Sequence, residues 1–179
     1  GIDLSGKLVV ITGGASGLGQ ETARAMAAKG AHIVIPVRDM AKGEAAVAAI
    51  KASVADAEIE LMQCDLGKMA SIRAFAKAFL VQHDKIDLLI NNAGVMACPH
   101  MTTSDGLEMQ FGTNHIGHFL LTNLLMPALV KAAKAGGDAR IVNLSSRGHH
   151  FDTVHFDDPH FEARDYDKWL SYGQAKTAN

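Results

Sequence analysis

The sequence contains few of the residues that mark several specialised classes of protein. Among 179 residues there are only two cysteines, four prolines and one tryptophan, and 17 Lys and Arg nearly balance 19 Asp and Glu. Cys64 and Cys98 are far apart and form no C-x-x-C pair, which excludes a disulfide framework or a cysteine zinc site. A formal net charge of -2 without a basic run gives no electrostatic basis for binding nucleic acid or an anionic membrane. We expect neither partner.

Long apolar stretches and an N-terminal targeting signal are also missing. The uninterrupted apolar runs at 45–50 and 119–121 fall well short of the ~20 residues that a membrane helix needs. The chain begins with Gly1 rather than Met, and no charged-then-apolar signal pattern follows. These features predict a cytoplasmic protein that does not span a membrane.

The arrangement of apolar residues favours an α/β fold. Hydrophobic residues make up 48% of the chain, enough for a sizeable core. Short β-branched runs alternate with helical patterns, which is typical of βαβ units and of a parallel sheet covered on both faces. We predict a single dinucleotide-binding domain over residues 1–179, a Rossmann-type doubly wound parallel sheet with helices on both faces. The predicted strands are 7–12, 32–37, 58–63, 87–91 and 140–145.

Two features of this pattern are irregular. Pro36 falls inside the second predicted strand, where it cannot donate to the ladder, so it should mark the end of the strand or an irregularity. Residues 169–179 form a helical pattern with no stop signal before Asn179. Because a doubly wound sheet normally continues past such a helix, we expect the fold to be cut off there and a C-terminal continuation to be missing.

A glycine-rich turn follows the first predicted strand. It reads T-G-G-A-S-G-L-G from Thr12 to Gly19. Glycines permit a tight strand-to-helix turn and let backbone N–H groups approach a pyrophosphate, whose charge the helix N-terminus stabilises. The alternative is a plain glycine-rich turn, but the position between a strand and a helix favours a nucleotide site. The spacing is G-x-x-x-G-x-G, because Ala15 stands where the commoner G-x-G-x-x-G fingerprint has glycine.

The end of the second strand bears on the choice of nucleotide. About 20 residues past the glycine turn, an acidic side chain would bind a free ribose 2'-hydroxyl. Arg38 occupies this position, and a cation suits a 2'-phosphate. The residue therefore favours NADP(H), with NAD(H) still possible, unless Arg38 is a surface charge paired to a neighbour such as Asp39.

Candidate catalytic residues lie near the end of the chain. Tyr172 and Lys176 are one helical turn apart on one face, and a nearby ammonium favours the ionised form of a phenol that transfers protons. The alternative is a core tyrosine beside a surface lysine. Ser145 and Ser146 end the fifth strand, at the edge of the sheet where ligands bind, and a hydroxyl there can polarise a carbonyl oxygen. Asn114 lies mid-helix among poor helix formers, which predicts a locally loosened backbone.

Together these motifs resemble the short-chain dehydrogenase/reductase family over about residues 4–179. The T-G-x-x-x-G-x-G turn, N-N-A-G at 91–94 and Y-x-x-x-K at 172–176 carry the resemblance. It implies an oxidoreductase that transfers a hydride between NADP(H) and an alcohol or carbonyl substrate. The long gap between Ser146 and Tyr172 and the V-R-D-x-x-K-G-E run at 37–44 are similar to the retinol-dehydrogenase-like subgroup, which favours NADP.

The resemblance also implies roles for individual residues. Tyr172 is the general acid/base, Lys176 tunes it and holds the nicotinamide ribose, Ser146 orients the substrate, and Asn114 holds a water that relays protons. The implied cofactor-binding residues are Gly13, Ala15, Ser16, Gly17, Leu18, Gly19, Arg38, Asp65, Leu66, Asn92, Ala93, Gly94, Tyr172 and Lys176.

Several alternatives remain open. A catalytically inactive nicotinamide-nucleotide-binding or scaffold protein would keep the fold, and another Rossmann-type enzyme such as a methyltransferase would keep the glycine turn, but neither needs the catalytic set. Four histidines near aspartates at 149–160 match no metal-ligand spacing, so we predict no metal. Apolar Val95, Met96 and Phe151 hint at a lipophilic substrate, and the protein is expected to be a homo-oligomer.

Overall fold

Five short strands form one parallel sheet in the computed structural model, which describes residues 1–179. The strand order is β3-β2-β1-β4-β5, and every neighbouring pair is parallel. All five predicted strands are confirmed, and their ends differ from prediction by a residue or two at most. The strands are β1 (Leu8–Ile11), β2 (His32–Val37), β3 (Ile59–Gln63), β4 (Leu88–Asn91) and β5 (Arg140–Asn143).

Helices cover both faces of this sheet, as predicted. They are α1 (Gly17–Ala27), α2 (Met40–Lys51), α3 (Met69–Gln82), α4 (Met109–Phe111), α5 (Gly117–Lys134) and α6 (Lys168–Ala178). A π-helical turn (Gly112–Ile116) joins α4 to α5, and a short 3-10 helix (Arg147–His150) follows β5. The helix predicted at 169–179 is confirmed as α6.

The core has two halves because successive strand residues point to opposite faces. One half lies between the sheet and the pair α3 and α5, and the other between the sheet and the pair α1 and α2. Burying one such apolar side chain contributes roughly 1.5–3 kcal/mol. The first half includes Val10, Val34, Phe75, Phe79 and Leu121, and the second includes Val9, Ile33, Ala23, Ala27 and Ile50.

Pro36 lies one residue before the end of β2, which fits its predicted role as an end marker. The N–H of Ile33 and the carbonyl of Val37 both bond toward β3. Because the backbone groups of successive residues in a strand point alternately to its two neighbours, Pro36 directs its backbone nitrogen toward β1. The pairing of β1 with β2 stops at Val34. The missing N–H of Pro36 therefore breaks no ladder hydrogen bond.

One helix is long and apolar enough, by length and composition alone, to cross a membrane. It runs continuously from Met109 to Lys134, and 39% of its most apolar window is buried. Leu121, Leu125 and Leu129 on its inner side belong to the core, and the core helix of a soluble protein passes the same test. The length of its uninterrupted apolar runs does not identify this helix, because polar residues and Pro127 divide its apolar positions into short runs.

Candidate functional site

The loops after β1, β2, β3 and β4 converge at the carboxyl edge of the sheet, where open α/β sheets bind ligands. They line a cavity of about 330 Å³. Of the predicted cofactor residues, the cavity is lined by Gly13, Ala15, Ser16, Arg38, Asp65, Leu66, Ala93 and Gly94. Gly17, Leu18 and Gly19 begin α1 and Asn92 follows β4, and none of them lines the cavity. Leu18 is 81% exposed. Tyr172 and Lys176, on α6, do not line it either. Seven further residues line it that were not among the predicted cofactor residues: Pro36, Val37, Asp39, Lys42, Cys64, Val95 and Thr113.

The glycines of the first loop are required by close contacts. Gly13 has φ +69°, and a Cβ there would lie 2.9 Å from Cα of Ala93. A Cβ on Gly19 would collide with the carbonyl of Gly13, whereas Gly17 at φ +52° has open space beside it. The loop therefore packs tightly on its inner side and leaves its outer side accessible, which is the shape a bound pyrophosphate needs.

Thr12 joins this loop to the one after β4. Its Oγ1 accepts hydrogen bonds from the backbone N–H groups of Asn92 (2.9 Å) and Ala93 (3.0 Å). Nδ2 of Asn92 donates to the carbonyl of Thr12 at 3.0 Å. Thr12 and Asn92 thus hold the two loops together across 80 residues of sequence.

Two cations stand at one end of the cavity. Arg38 and Lys42 both line it, and both are exposed. The carboxylate of Asp39 accepts a hydrogen bond from the backbone N–H of Lys42 at 3.2 Å and so caps α2. Arg38 forms no ion pair with Asp39, so the alternative of a paired surface charge is not what the structure shows.

Asp65 and Leu66 form the wall that follows β3. Oδ1 of Asp65 accepts from the backbone N–H of Gly67 at 3.0 Å, and its Oδ2 lies 3.8 Å from Nζ of Lys68. These bonds fix the Asp65 side chain in its own loop, at the edge of the cavity.

The predicted Tyr172 and Lys176 pair shares one face of α6. Nζ of Lys176 lies 5.9 Å from the centre of the Tyr172 ring and donates to the carbonyl of Leu144 at 2.6 Å. Lys176 is only 6% exposed, and burial lowers the pKa of its ammonium. Oγ of Ser145 donates to the carbonyl of Lys176 at 2.8 Å, so this serine anchors the helix.

Gly148 contacts both Ser146 and Tyr172, and the sequence pattern did not predict it as a site residue. Oγ of Ser146 accepts from the backbone N–H of Gly148 at 3.1 Å. A Cβ on Gly148 would lie 2.7 Å from Cε1 of Tyr172, so the ring packs directly on this backbone. Only the tertiary contact identifies Gly148, because no spacing rule relates it to a tyrosine in α6.

Asn114 lies in the π-helical turn, which confirms the predicted loosening of the backbone. The residue is fully buried, and its Oδ1 accepts from the N–H of Val95 while its Nδ2 donates to the carbonyl of Val95, both at 2.8 Å. The side-chain amide therefore anchors the loop after β4. Its role in a water relay stays a prediction.

The segment between the 3-10 helix and α6 is held together by ionic contacts and tied to α6 by a hydrogen bond. Asp152 bonds to Nε2 of His155 at 2.8 Å and to Nη1 of Arg164 at 3.2 Å, and Nη2 of Arg164 donates to Oε1 of Gln174 at 3.1 Å. Burial raises the pKa of Asp152, but the hydrogen bonds from His155 and Arg164 outweigh this and leave it below its ordinary value. These groups hold the inserted segment against the helix that carries Tyr172.

The fold and the site define an α/β protein of the dinucleotide-binding class, and sequence comparison assigns it to a family within that class. The profile of the short chain dehydrogenase family matches residues 7–156. The chain belongs to this family, within its retinol-dehydrogenase-like subgroup.

Curated relatives support the subgroup. Retinol dehydrogenase 13 of Homo sapiens is 45% identical over 175 residues, which are 98% of this chain and 52% of that protein. Retinol dehydrogenase 12 of Mus musculus is 46% identical over 178 residues, which are 99% of this chain and 55% of that protein. The chain thus spans about half the length of the curated relatives it matches.

Solved structures share the fold. An uncharacterised protein from Mycobacterium paratuberculosis matches with a TM-score of 0.84 and 40% identity, covering 97% of this chain and 59% of that one. RhlG of Pseudomonas aeruginosa, solved as an NADP active-site complex, matches with a TM-score of 0.75 and 26% identity, covering 98% of this chain and 62% of that one.

Proposed function

We propose that this protein is an NADP(H)-dependent oxidoreductase that interconverts an alcohol and a carbonyl compound. The observation that carries the proposal is a single edge of the sheet with two adjacent parts. A glycine-lined cavity with two exposed cations lies at the ends of β1 to β4. A candidate catalytic wall of Ser146, Tyr172 and buried Lys176 lies after the end of the neighbouring strand β5. A protein that only bound a nucleotide would not need the second part.

The residues of the cavity fit a phosphorylated dinucleotide. Any side chain at Gly13 or Gly19 would fill the space that the loop needs, and the open N-terminus of α1 favours a pyrophosphate. Arg38 and Lys42 suit a 2'-phosphate, because both are cationic and neither side chain forms an ion pair with Asp39 or Asp65, the two acids that line the cavity. When bound, a nicotinamide supplies or accepts the hydride.

The side chains beside the cavity would handle the proton. Tyr172 exchanges a proton with the substrate oxygen as general acid or base, and Ser146 hydrogen-bonds the same oxygen. Lys176 places a positive charge beside the phenol and would hold the nicotinamide ribose. Asn114 keeps Val95 in place beside them and is proposed to support the proton relay.

The substrate is proposed to be a lipophilic alcohol or its carbonyl counterpart. Phe151 is 53% exposed, and a Cβ on Gly173, next to Tyr172, would lie 2.8 Å from its Cβ. Met96, 61% exposed, lies in the loop that Asn114 holds. The relatives named retinol dehydrogenases make retinol and retinal the first substrates to test. A homo-oligomer and a cytoplasmic location also stay proposals.

The test uses the two tyrosines of the chain as a matched pair. Tyr172→Phe should abolish NADPH-dependent reduction of retinal while leaving NADPH binding, measured by calorimetry, unchanged. Tyr166→Phe is the control, since its hydroxyl bonds to the carbonyl of Cys98 and to Gln110 rather than to the catalytic wall. The control should retain turnover.

Two outcomes would contradict the proposal. Undiminished turnover of the Tyr172 variant would remove this residue from the chemistry. Tight NADPH binding by the wild-type protein, with no turnover of retinal or of a panel of lipophilic aldehydes and ketones, would favour an inactive nucleotide-binding protein instead.

A further inference from the structure

His118 is a buried polar side chain to which the proposed chemistry gives no role. It is the second residue of α5, directly after the π-helical turn, and it is 4% exposed. Its Nδ1 lies 2.8 Å from the carbonyl oxygen of Asn114, and its Nε2 lies 2.8 Å from Oγ1 of Thr12. The imidazole therefore connects the first loop of the nucleotide site to the turn that carries Asn114.

The hydrogen bonds of Thr12 determine whether Nε2 of His118 donates or accepts. A threonine hydroxyl donates one proton and accepts at two lone pairs. The N–H groups of Asn92 and Ala93 occupy both lone pairs. The hydroxyl proton can go to Nε2 at 2.8 Å or to the carbonyl of Ile90 at 3.3 Å, and the shorter contact favours Nε2. Nε2 is thus an acceptor without a proton.

The other ring nitrogen leads to the same tautomer independently. The carbonyl of Asn114 can only accept, so Nδ1 must carry the proton that joins them. Burial lowers the pKa of His118 to about 4, and the positive charge of Lys176 and the neighbouring His115 act in the same direction. The ring is therefore neutral, with its proton on Nδ1.

The two partners of His118 hold the same loop at two points. Thr12 binds the backbone N–H groups of Asn92 and Ala93, and Asn114 binds the N–H and carbonyl of Val95. This 92–95 loop lines the nucleotide cavity. A shift of either anchor would move the wall of the cavity.

Resting on the function proposed above, we propose that His118 is a positioning residue. Its neutral imidazole holds Thr12 and Asn114 relative to each other, and thereby sets the 92–95 loop for the nucleotide. The residue touches neither the cavity nor the reacting groups, so it acts only through its two partners.

Two substitutions can break the two ends of this connection separately. His118→Asn keeps a donor for the carbonyl four residues earlier, as Asn123 in the same helix does for Phe119 at 2.8 Å, but is too short to reach Thr12. His118→Gln can place an acceptor near the Nε2 position but loses the bond to Asn114. Asn123→Ala, at an exposed site on the same helix, is the control.

Residue-resolved amide hydrogen exchange tests the proposal without reference to activity. His118→Asn should speed exchange at Asn92 and Ala93, and His118→Gln should speed it at Val95, each about two- to tenfold. The control should change none of the three amides. Both variants should also weaken NADPH binding by about two- to tenfold, because Ala93 and Val95 both line the cavity.

Several results would overturn the proposal. One is a nitrogen-15 spectrum of the wild-type histidines that shows the His118 proton on Nε2 or a charged ring. Another is equal acceleration of all three amides in both variants, which would indicate general loosening. Altered exchange with unaltered NADPH affinity would also count against it. If the wild-type protein bound no NADPH at all, the proposed function would fail, while the tautomer and exchange results would still decide the role of His118.

Discussion

The proposed preference for NADP(H) over NAD(H) would depend on two exposed cations, so removing one should reduce that preference by a predictable amount. Arg38 and Lys42 line the end of the nucleotide cavity, and the carboxylate of Asp39 between them is engaged in capping α2. Arg38→Gln removes one cation while keeping a polar side chain of related shape. NADPH should bind more weakly to this variant, and NADH should bind as before, because NADH lacks the 2'-phosphate.

The size of the effect follows from the exposure of the side chain. A hydrogen bond to a charged group contributes about 1.5–3 kcal/mol, and solvent screening at an exposed site favours the lower end of that range. Arg38→Gln should therefore raise the Kd for NADPH about tenfold. Adding Lys42→Gln should weaken binding further, by less than the product of the single effects, because both cations would contact one phosphate.

Calorimetric titration with NADPH and NADH at low and high salt measures these quantities. The advantage of NADPH should shrink as salt rises, because the Debye length falls from about 10 Å at 0.1 M to about 3 Å at 1 M. Lys51→Gln, at the other end of α2, is the control and should leave both affinities unchanged. If the Arg38 variant bound NADPH and NADH more weakly to the same extent, or bound both as before, Arg38 would not be the residue that recognises the 2'-phosphate.

Three further predictions concern the catalytic wall and the buried polar groups. Gly148→Ala should lower kcat with little change in NADPH affinity, because the new Cβ would lie 2.7 Å from Cε1 of Tyr172; unchanged kcat would show that the ring position is not critical. Gln110→Leu should lower the free energy of unfolding by about 2 kcal/mol in urea titrations, since this fully buried amide bonds to three other segments; an unchanged midpoint would contradict this. In the unfolded chain His118 takes up a proton near its ordinary pKa of 6.5, whereas in the folded chain burial lowers its pKa to about 4. Protonation of this residue in the unfolded chain should therefore reduce the free energy of unfolding by about 2 kcal/mol as the pH falls from 7 to 5. Urea titrations at both pH values should show that His118→Asn loses less free energy of unfolding than the wild type. An identical loss would show that His118 does not cause this pH dependence.

The fold was predictable to a large extent because its signals are local. Each buried parallel strand is a short apolar run, and the five strands lie where those runs lie. Pro36 could be placed near a strand end for the same reason. The helix from Met109 to Lys134 was less clear, since the polar positions within it hide a continuous element that the core and the π-helical turn stabilise.

The candidate site was predictable where spacing alone brings residues together. Tyr172 and Lys176 share a face because they are one turn apart, and the glycines of the first loop follow from one strand-to-helix turn. Lys42 was missed because its approach to the cavity depends on how α2 leaves β2. Leu18 is 81% exposed and does not line the cavity, so its predicted part in cofactor binding stays a prediction.

By itself, the sequence determined the strand and helix pattern, the glycine turn and the candidate catalytic residues, because each is encoded within a few consecutive residues. Tertiary structure alone decided which distant groups meet. Thr12 and His118 are 106 positions apart, and only the packing of α5 against the sheet brings the hydroxyl and the imidazole to 2.8 Å. Gly148 likewise contacts Tyr172 only because the inserted segment folds back onto α6. Such contacts depend on how elements pack in three dimensions, and no short-range periodicity records them.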